Sequence, residues 1–330
     1  MAEKFMGSRG FGELLNDVTI QALDIGARDG FTSDLLPLAR AIEAHGFEPD
    51  AEECARLNRV RSKKVAPWKS LTFHPIALGK EAQGRILHLY KQRGCSSLLE
   101  ADRDLAARFS RSGYYEDDGE ATLDTVALDT AAQRLGFQEA SYIKIDVQGA
   151  ELEVFETGTD LLDRSVLAVR AEVEFFEIYH NQPLFHDVSL FLHSYGFYAM
   201  GFIELHAWRR TTKRKYPAVT RGSVPYSRGQ LSHGDVLFMK DPRVLADAGE
   251  ARVPLLLKAA LLAIAYGYVD HALALLSEPD AERYLRERYG VDSKSEFARM
   301  SRAVARNERG QQYRIAAKAI GHAVQNLLRM

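Results

Sequence analysis

The feature that most constrains this chain is a recurring alternation of short β-branched apolar runs with longer helix-like segments. VTIQALDIG (18–26), SLTFHPIALG (70–79), SYIKIDV (141–147) and SVLAVRAEVEFF (165–176) read as strands. TSDLLPLARAIEAHG (32–46) reads as a helix that stops at Gly46, with FEPD (47–50) after it. A second helix-like pattern begins at Ala150 and Glu151. GRILHLYKQRGCSSLL (84–99) reads as an excursion, and GFYAMGFIEL (196–205) and GDVLFMK (234–240) as a closing pair of strands. Alternation of this kind implies an α/β fold, a doubly wound and mostly parallel sheet covered on both faces.

After Asp241-Pro242 only helical periodicity remains, as at Ile315, Ala316, Ile320, Ala323, Val324 and Leu327. The expected organisation is a segment at 1–17, an α/β domain at 18–242 and a small helical C-terminal appendage at 243–330. The greasiest run, VPLLLKAALLAIAYGYV (253–269), is interrupted by Pro254 and Lys258, which suits a buried helix better than a membrane span. Two cysteines, Cys54 and Cys95, make no disulfide framework, and MAEKFMGSRGFGELL lacks an apolar signal core. Cytoplasmic location is the expectation. Basic residues cluster at 209–228 and again after 281, where 11 Lys/Arg face 5 Asp/Glu. Neither cluster interleaves the aromatic platforms of a nucleic-acid groove, so no nucleic-acid partner is expected.

In an open parallel sheet, ligands bind outside the carboxyl ends of the strands. Asp24, Glu48, Asp146, Glu172 and Glu174 all fall at such ends. LDIGARDG (23–30) puts Asp24 at a strand tip, Gly26 in the turn and Gly30 at the expected start of the next helix. The spacing D-x-G-x-x-x-G departs from the dinucleotide fingerprint G-x-G-x-x-G, which disfavours a pyrophosphate cradle. Glu48, 24 residues beyond Asp24, is placed to accept hydrogen bonds from a ribose diol. A nucleoside bearing an amino acid, S-adenosylmethionine, fits both features.

DIGARDGFTSDLL, GFEPD, HPIALG, TLDTVALD, IKIDVQGAELEVFETG and EVEFFEIYHNQPLF follow one another in this order. Over roughly 18–242 the chain thereby resembles the FkbM family of S-adenosylmethionine-dependent methyltransferases. The resemblance implies the seven-stranded, Rossmann-like methyltransferase fold and O-methylation of a sugar, glycolipid or polyketide hydroxyl. By position it implies that Asp24, Gly26 and Gly30 hold the methionine part, with Ala27 and Arg28 between them, and that Glu48 with Pro49 holds the ribose. Arg28 departs from the family's usual small polar residue; it either pairs with the methionine carboxylate or points to solvent.

Methyl transfer to a hydroxyl needs alignment and removal of a poorly acidic proton. Asp146 and Glu172 are the carboxylates expected at the mouths of adjacent strands, and His180, in the loop after the second, is the rival base. A divalent ion held by Asp146 and Glu172 is the less favoured alternative, so no metal is assigned. His186 shares the loop of His180, Ser96 and Ser97 carry little signal, and His45, His74, His206 and His233 carry less. The basic loop 209–228 suits a cover over the pocket that recognises an anionic acceptor, or a solvated insertion. The expected partner is a carbohydrate or glycan, with oligomeric state open. Two other readings compete. A nicotinamide-dependent sugar-modifying enzyme would need the missing glycine fingerprint and a Tyr-x-x-x-Lys pair, which YHNQP (179–183) fails to supply. A non-catalytic protein of this fold would keep the sheet for binding and use the tail for interaction.

Overall fold

The computed structural model describes residues 9–63, 67–211, 228–246, 248–302 and 305–306. Its centre is a seven-stranded sheet in the order β3-β2-β1-β7-β8-β10-β9. The strands are β1 (Ile20–Ile25), β2 (Ile42–Phe47), β3 (Ser70–His74), β7 (Ala140–Ile145), β8 (Ala168–Glu174), β9 (Phe197–Trp208) and β10 (Gln230–Lys240). The first five are parallel to one another, and β10 is antiparallel to both β8 and β9. This is the doubly wound, mostly parallel seven-stranded sheet expected, closed by the expected pair. Strand order reverses between β1 and β7, and that opening is where a ligand crevice forms.

The central strands are buried on both faces, which their near-continuous apolar runs require. Ile20 and Ala22 of β1 enter one hydrophobic cluster, while Leu23 and Ile25 enter the other. In β8, Val169, Ala171 and Val173 share the second cluster, leaving Arg170 and Glu172 on the opposite face, as the period-2 reading predicts.

The segment after 242 packs on the first cluster. There α8 (Arg252–Ala265) buries Leu255 through Leu257 and Ala259 through Ile264 among β1, β2 and the N-terminal helix α1 (Arg9–Asp17). Among the described residues, no helix is long and apolar enough to cross a membrane. The helical pattern at 315–327 and most of the basic loop, 212–227, lie outside the described residues.

A polar seam sits between α8 and the sheet. Tyr266 donates to Asp34 Oδ2 (2.9 Å), its hydroxyl lies 2.5 Å from that of buried Tyr142, and Arg170 reaches both Asp34 and Asp235. Tyr266→Phe strips buried Tyr142 and half-buried Asp34 of a partner, so a loss of about 1–3 kcal/mol is expected in urea unfolding. Unchanged stability would mean that this seam contributes nothing to docking the helix.

Two local expectations are corrected. Residues 32–46 do not form a helix: Leu36–Ala41 is a single 3-10 segment and Ile42–Phe47 is β2. Helix propensity at Leu, Ala and Arg is a weak bias, and pairing with β1 in the register Ile20↔Ile42 with burial of Ile42 and Ala44 outweighs it. Gly46 is therefore no helix stop. It sits where a Cβ would lie 2.4 Å from the Phe73 ring. For the same reason Gly30 opens no helix, and the anion-binding helix terminus expected there is missing. The run 70–79 divides at Pro75, and its second part, β4 (Ala77–Leu78), leaves the main sheet. It joins β6 (Asp117–Val126) and β5 (Ala82–Tyr90) in a separate sheet of order β4-β6-β5.

Candidate functional site

Asp146 follows β7 directly, and its N–H donates to Ile25 O (3.0 Å) at the end of β1. The turn beyond it is held from below. Glu151 opens helix α5 (Glu151–Glu156), and its carboxylate accepts from the N–H groups of Val147 (2.8 Å) and Gly149 (2.9 Å). Burial pushes the Glu151 carboxyl up to about 7. Glu151 thus holds the N–H groups of the turn and Asp146 caps no helix, which leaves Asp146 free for another role. Gln148 takes the left-handed backbone (φ 58°), a conformation that costs about 1–3 kcal/mol in a residue with a side chain.

That conformation aims the Gln148 amide across two strand mouths. Its Nε2 donates to Asp146 Oδ1 and to Glu172 Oε2, both at 2.7 Å, while Tyr179 donates to its Oε1 at 3.0 Å. Ser97 holds the Gln148 carbonyl (2.7 Å). Burial alone would raise the Asp146 carboxyl. Lys144 at 3.7 Å and hydrogen bonds from Glu172 and Gln148 outweigh it, so Asp146 stays below the usual carboxylate value. Burial and the charges of Asp146 and Glu174 push Glu172 the other way, well above it. Glu174, 2% exposed, is raised by burial and by Glu151. The acids are therefore pushed apart, Asp146 toward its ionised form and Glu172 and Glu174 toward their protonated forms.

Asp146, Glu151 and Glu172 bring carboxylate oxygens within 4.8 Å of one another. The set does not suit a hard cation. Glu151 is committed to backbone N–H groups, and the space an ion would bridge between Asp146 and Glu172 is taken by the Gln148 NH₂ donor.

Two cavities meet here. The first, about 180 Å³, lies between the strand tips and the small sheet. It is lined by Gly26, Arg28, Glu48, Pro49 and Asp146, with Ile76, Leu78, Leu98 and Leu123 as an apolar wall. Glu48 is 4% exposed, accepts from Asp50 N–H (2.9 Å) and is raised by burial. Arg28 lines the cavity with its guanidinium 3.9 Å from Asp50. Asp24, Ala27 and Gly30 are not in this lining. Asp24 is 1% exposed; it accepts from Thr32 N–H (2.7 Å) and lies 3.4 Å from Lys144 Nζ. Burial raises its carboxyl against the pull of Lys144. Its place is beneath the cavity, where it positions the turn and Lys144.

The second cavity, about 330 Å³, is lined by Glu172, Glu174, Tyr115, Tyr179, Trp208, Arg111 and His233. Gly94 and Gln148 line both cavities, so the two adjoin at these residues. His180 is exposed and lines neither; only its backbone is engaged, donating to Glu100 O (2.8 Å). His186 is exposed as well. The histidines that line the second cavity are His206 and His233; His233 sits on β10 opposite Glu174, and burial with neighbouring His206 lowers it to about 4. Sequence reasoning passed over His233, Arg111, Tyr115 and Trp208. Arg111 and Tyr115 flank one short turn while Trp208 and His233 come from β9 and β10, and no spacing in the chain marks them as one wall.

Residues 24–198 match the family model described as the methyltransferase FkbM domain. Among solved structures the chain is similar to methyltransferase FkbM from Methylobacillus flagellatus KT, at 13% identity and TM-score 0.35, covering 67% of this chain and 43% of that one. It is also similar to magnesium protoporphyrin IX methyltransferase from Synechocystis PCC 6803 with bound SAM (11%, TM-score 0.34, 70% and 80% covered). A third likeness is to precorrin-6y C5,15-methyltransferase from Geobacter metallireducens GS-15 (9%, TM-score 0.33, 72% and 92% covered). No curated protein sequence matches the chain.

Proposed function

The chain belongs to the FkbM methyltransferase family, and from that premise we propose that it methylates a hydroxyl of a carbohydrate or glycan, with S-adenosylmethionine as the donor. The observation that carries this reading is the junction of two cavities at Gly94 and Gln148 beside an ionised carboxylate. The first cavity suits the nucleoside. Glu48 offers a buried carboxylate for a ribose diol, Ile76, Leu78 and Leu98 an apolar wall for a base, and Arg28 a cation for an amino-acid carboxylate. What the donor contributes when bound is an electrophilic methyl on a thioether leaving group that needs no proton.

The protein's own part is alignment and proton removal. The aromatic faces of Tyr115 and Trp208 suit the apolar face of a sugar ring. Protonated Glu172 donates a hydrogen bond within the acid pair, and Asp146, held in place by Lys144 and Gln148, accepts the proton that leaves the acceptor oxygen as the O–CH₃ bond forms. An ionised, partly solvated Asp146 needs no change of protonation state before it acts, and the two protonated neighbours leave its charge undiluted. Water is limited at the junction by the Gln148 side chain, which fills it from one side.

Calorimetric titration with S-adenosylhomocysteine tests the donor assignment. Micromolar binding to the wild type is expected, with no binding of NADH. Glu48→Ala should weaken it about ten- to a hundredfold, the value of a hydrogen-bonded charged group. Equal affinity in the variant, or NADH binding in place of S-adenosylhomocysteine, would remove the first cavity from this role.

A further inference from the structure

Arg111 stands apart from the other cations around the second cavity. It follows helix α3 (Arg103–Arg108), and its N–H donates to Ala106 O (2.8 Å), which fixes the backbone. Its guanidinium carbon lies 5.0 Å from the Tyr114 ring centroid and 5.5 Å from that of Trp208. Three nearby cations are matched with acids, Arg93 with Asp118 (2.6 Å), Arg103 with Asp117 (3.5 Å) and Lys91 with Glu116, while Arg210 lies over the Phe109 ring and bonds the Gln230 amide. Among the described residues, Arg111 has no carboxylate partner. Its charge is nonetheless part of the cavity wall.

The acids of that wall do not neutralise it. Burial and neighbouring acids push Glu172 and Glu174 toward their protonated forms, and Asp146, held toward its ionised form, lies beyond Gln148, beside Lys144. Among the described residues, the second cavity therefore has one fixed positive charge, seated between aromatic faces. A guanidinium offers planar, paired donors that match a carboxylate or phosphate, and flanking rings remove it from water without supplying a counter-charge. Trp208 is also one of the two rings on which a sugar would lie. Cation and platform thus belong to one binding surface.

We propose that Arg111 receives an anionic group, a carboxylate or a phosphate, carried by the sugar acceptor, so that the second cavity selects acidic over neutral glycans. The assignment deepens the methyl-transfer reading and rests on it for the identity of the acceptor.

The test uses the full chain saturated with S-adenosylhomocysteine and carrying Trp68→Phe, which leaves Trp208 as the only emitting indole. The probes are D-glucuronate, D-glucose 6-phosphate, D-glucose and inorganic phosphate. Saturable change in Trp208 emission is expected for the two charged sugars, with apparent Kd at least about tenfold below that for glucose. Inorganic phosphate, lacking the ring, should bind more weakly than the phosphosugar. Arg111→Gln should erase the preference, while Arg111→Lys should keep part of it and guard against a folding defect in the first variant. The proposal fails if glucose and glucuronate respond alike, if the glutamine variant weakens both equally, or if phosphate alone matches the phosphosugar. Methyl transfer is read separately. Selective anion binding without methylation of any glycan would retain Arg111 and defeat the methyl-transfer reading. Equal kcat/KM on neutral and acidic oligosaccharides would defeat the Arg111 assignment and retain methyl transfer.

Discussion

Asp146→Asn is expected to lower methyl transfer by about 10²–10⁴-fold, the usual contribution of a positioned general base. Binding of S-adenosylhomocysteine should be nearly unchanged. The substitution preserves size and the contact with Gln148 but removes the charge that Lys144 holds. Glu172→Gln should cost much less, because a neutral amide replaces an acid that is already protonated and can still donate a hydrogen bond. His180→Ala should change neither rate nor binding, since its side chain lines neither cavity. The pH profile separates the candidates further. A carboxyl held below its ordinary value is ionised throughout the range above about pH 5, so the rate should stay flat between about pH 5 and 7. A histidine base of ordinary pKa would instead halve the rate near pH 6.5. His233, lowered to about 4, would give no such limb, and His233→Gln distinguishes it from Asp146. Equal losses at Asp146 and Glu172 would mean that the pair works as a unit and that the charge is shared.

The second large effect is expected at Gly26. Its φ is +83°, and a Cβ there would lie 1.9 Å from the carbonyl oxygen of Asp146. Gly26→Ala must therefore either distort the turn or separate the ends of β1 and β7, where Asp146 N–H is bonded to Ile25 O. Left-handed strain alone costs about 1–3 kcal/mol, and a clash with backbone adds to it, so a loss of about 3 kcal/mol or more is expected in urea unfolding. S-adenosylhomocysteine affinity should fall with it, because Gly26 lines the first cavity. Gly30→Ala provides the contrast. Its φ is +104°, but nothing lies within 4 Å of the added carbon, so only backbone strain remains. A larger loss at Gly30 than at Gly26 would show that close approach of the two strand ends is not what requires a glycine here.

The sequence by itself determined the parallel sheet, the closing strand pair and the tips where Glu48, Asp146 and Glu172 emerge. These rest on period-2 burial and on motifs within a few residues of one another, information that is local in the chain. It also carried the family, through IKIDVQGAELEV above all, without saying which residue did what inside that motif. Only the fold made Glu151 the brace of the turn, Gln148 the bridge and Asp146 the free acid. The helix expected at 32–46 became β2 because a partner strand, absent from any local window, outweighs propensity. Asp24 reads like a cavity residue in sequence, yet it lies beneath the cavity, since Lys144 and Thr32 N–H reach it first. The acceptor wall was invisible for the same reason. Arg111 with Tyr115, then Tyr179, Trp208 and His233 come from four separate places in the chain, and their chemistry exists only after long-range packing has removed water from between them.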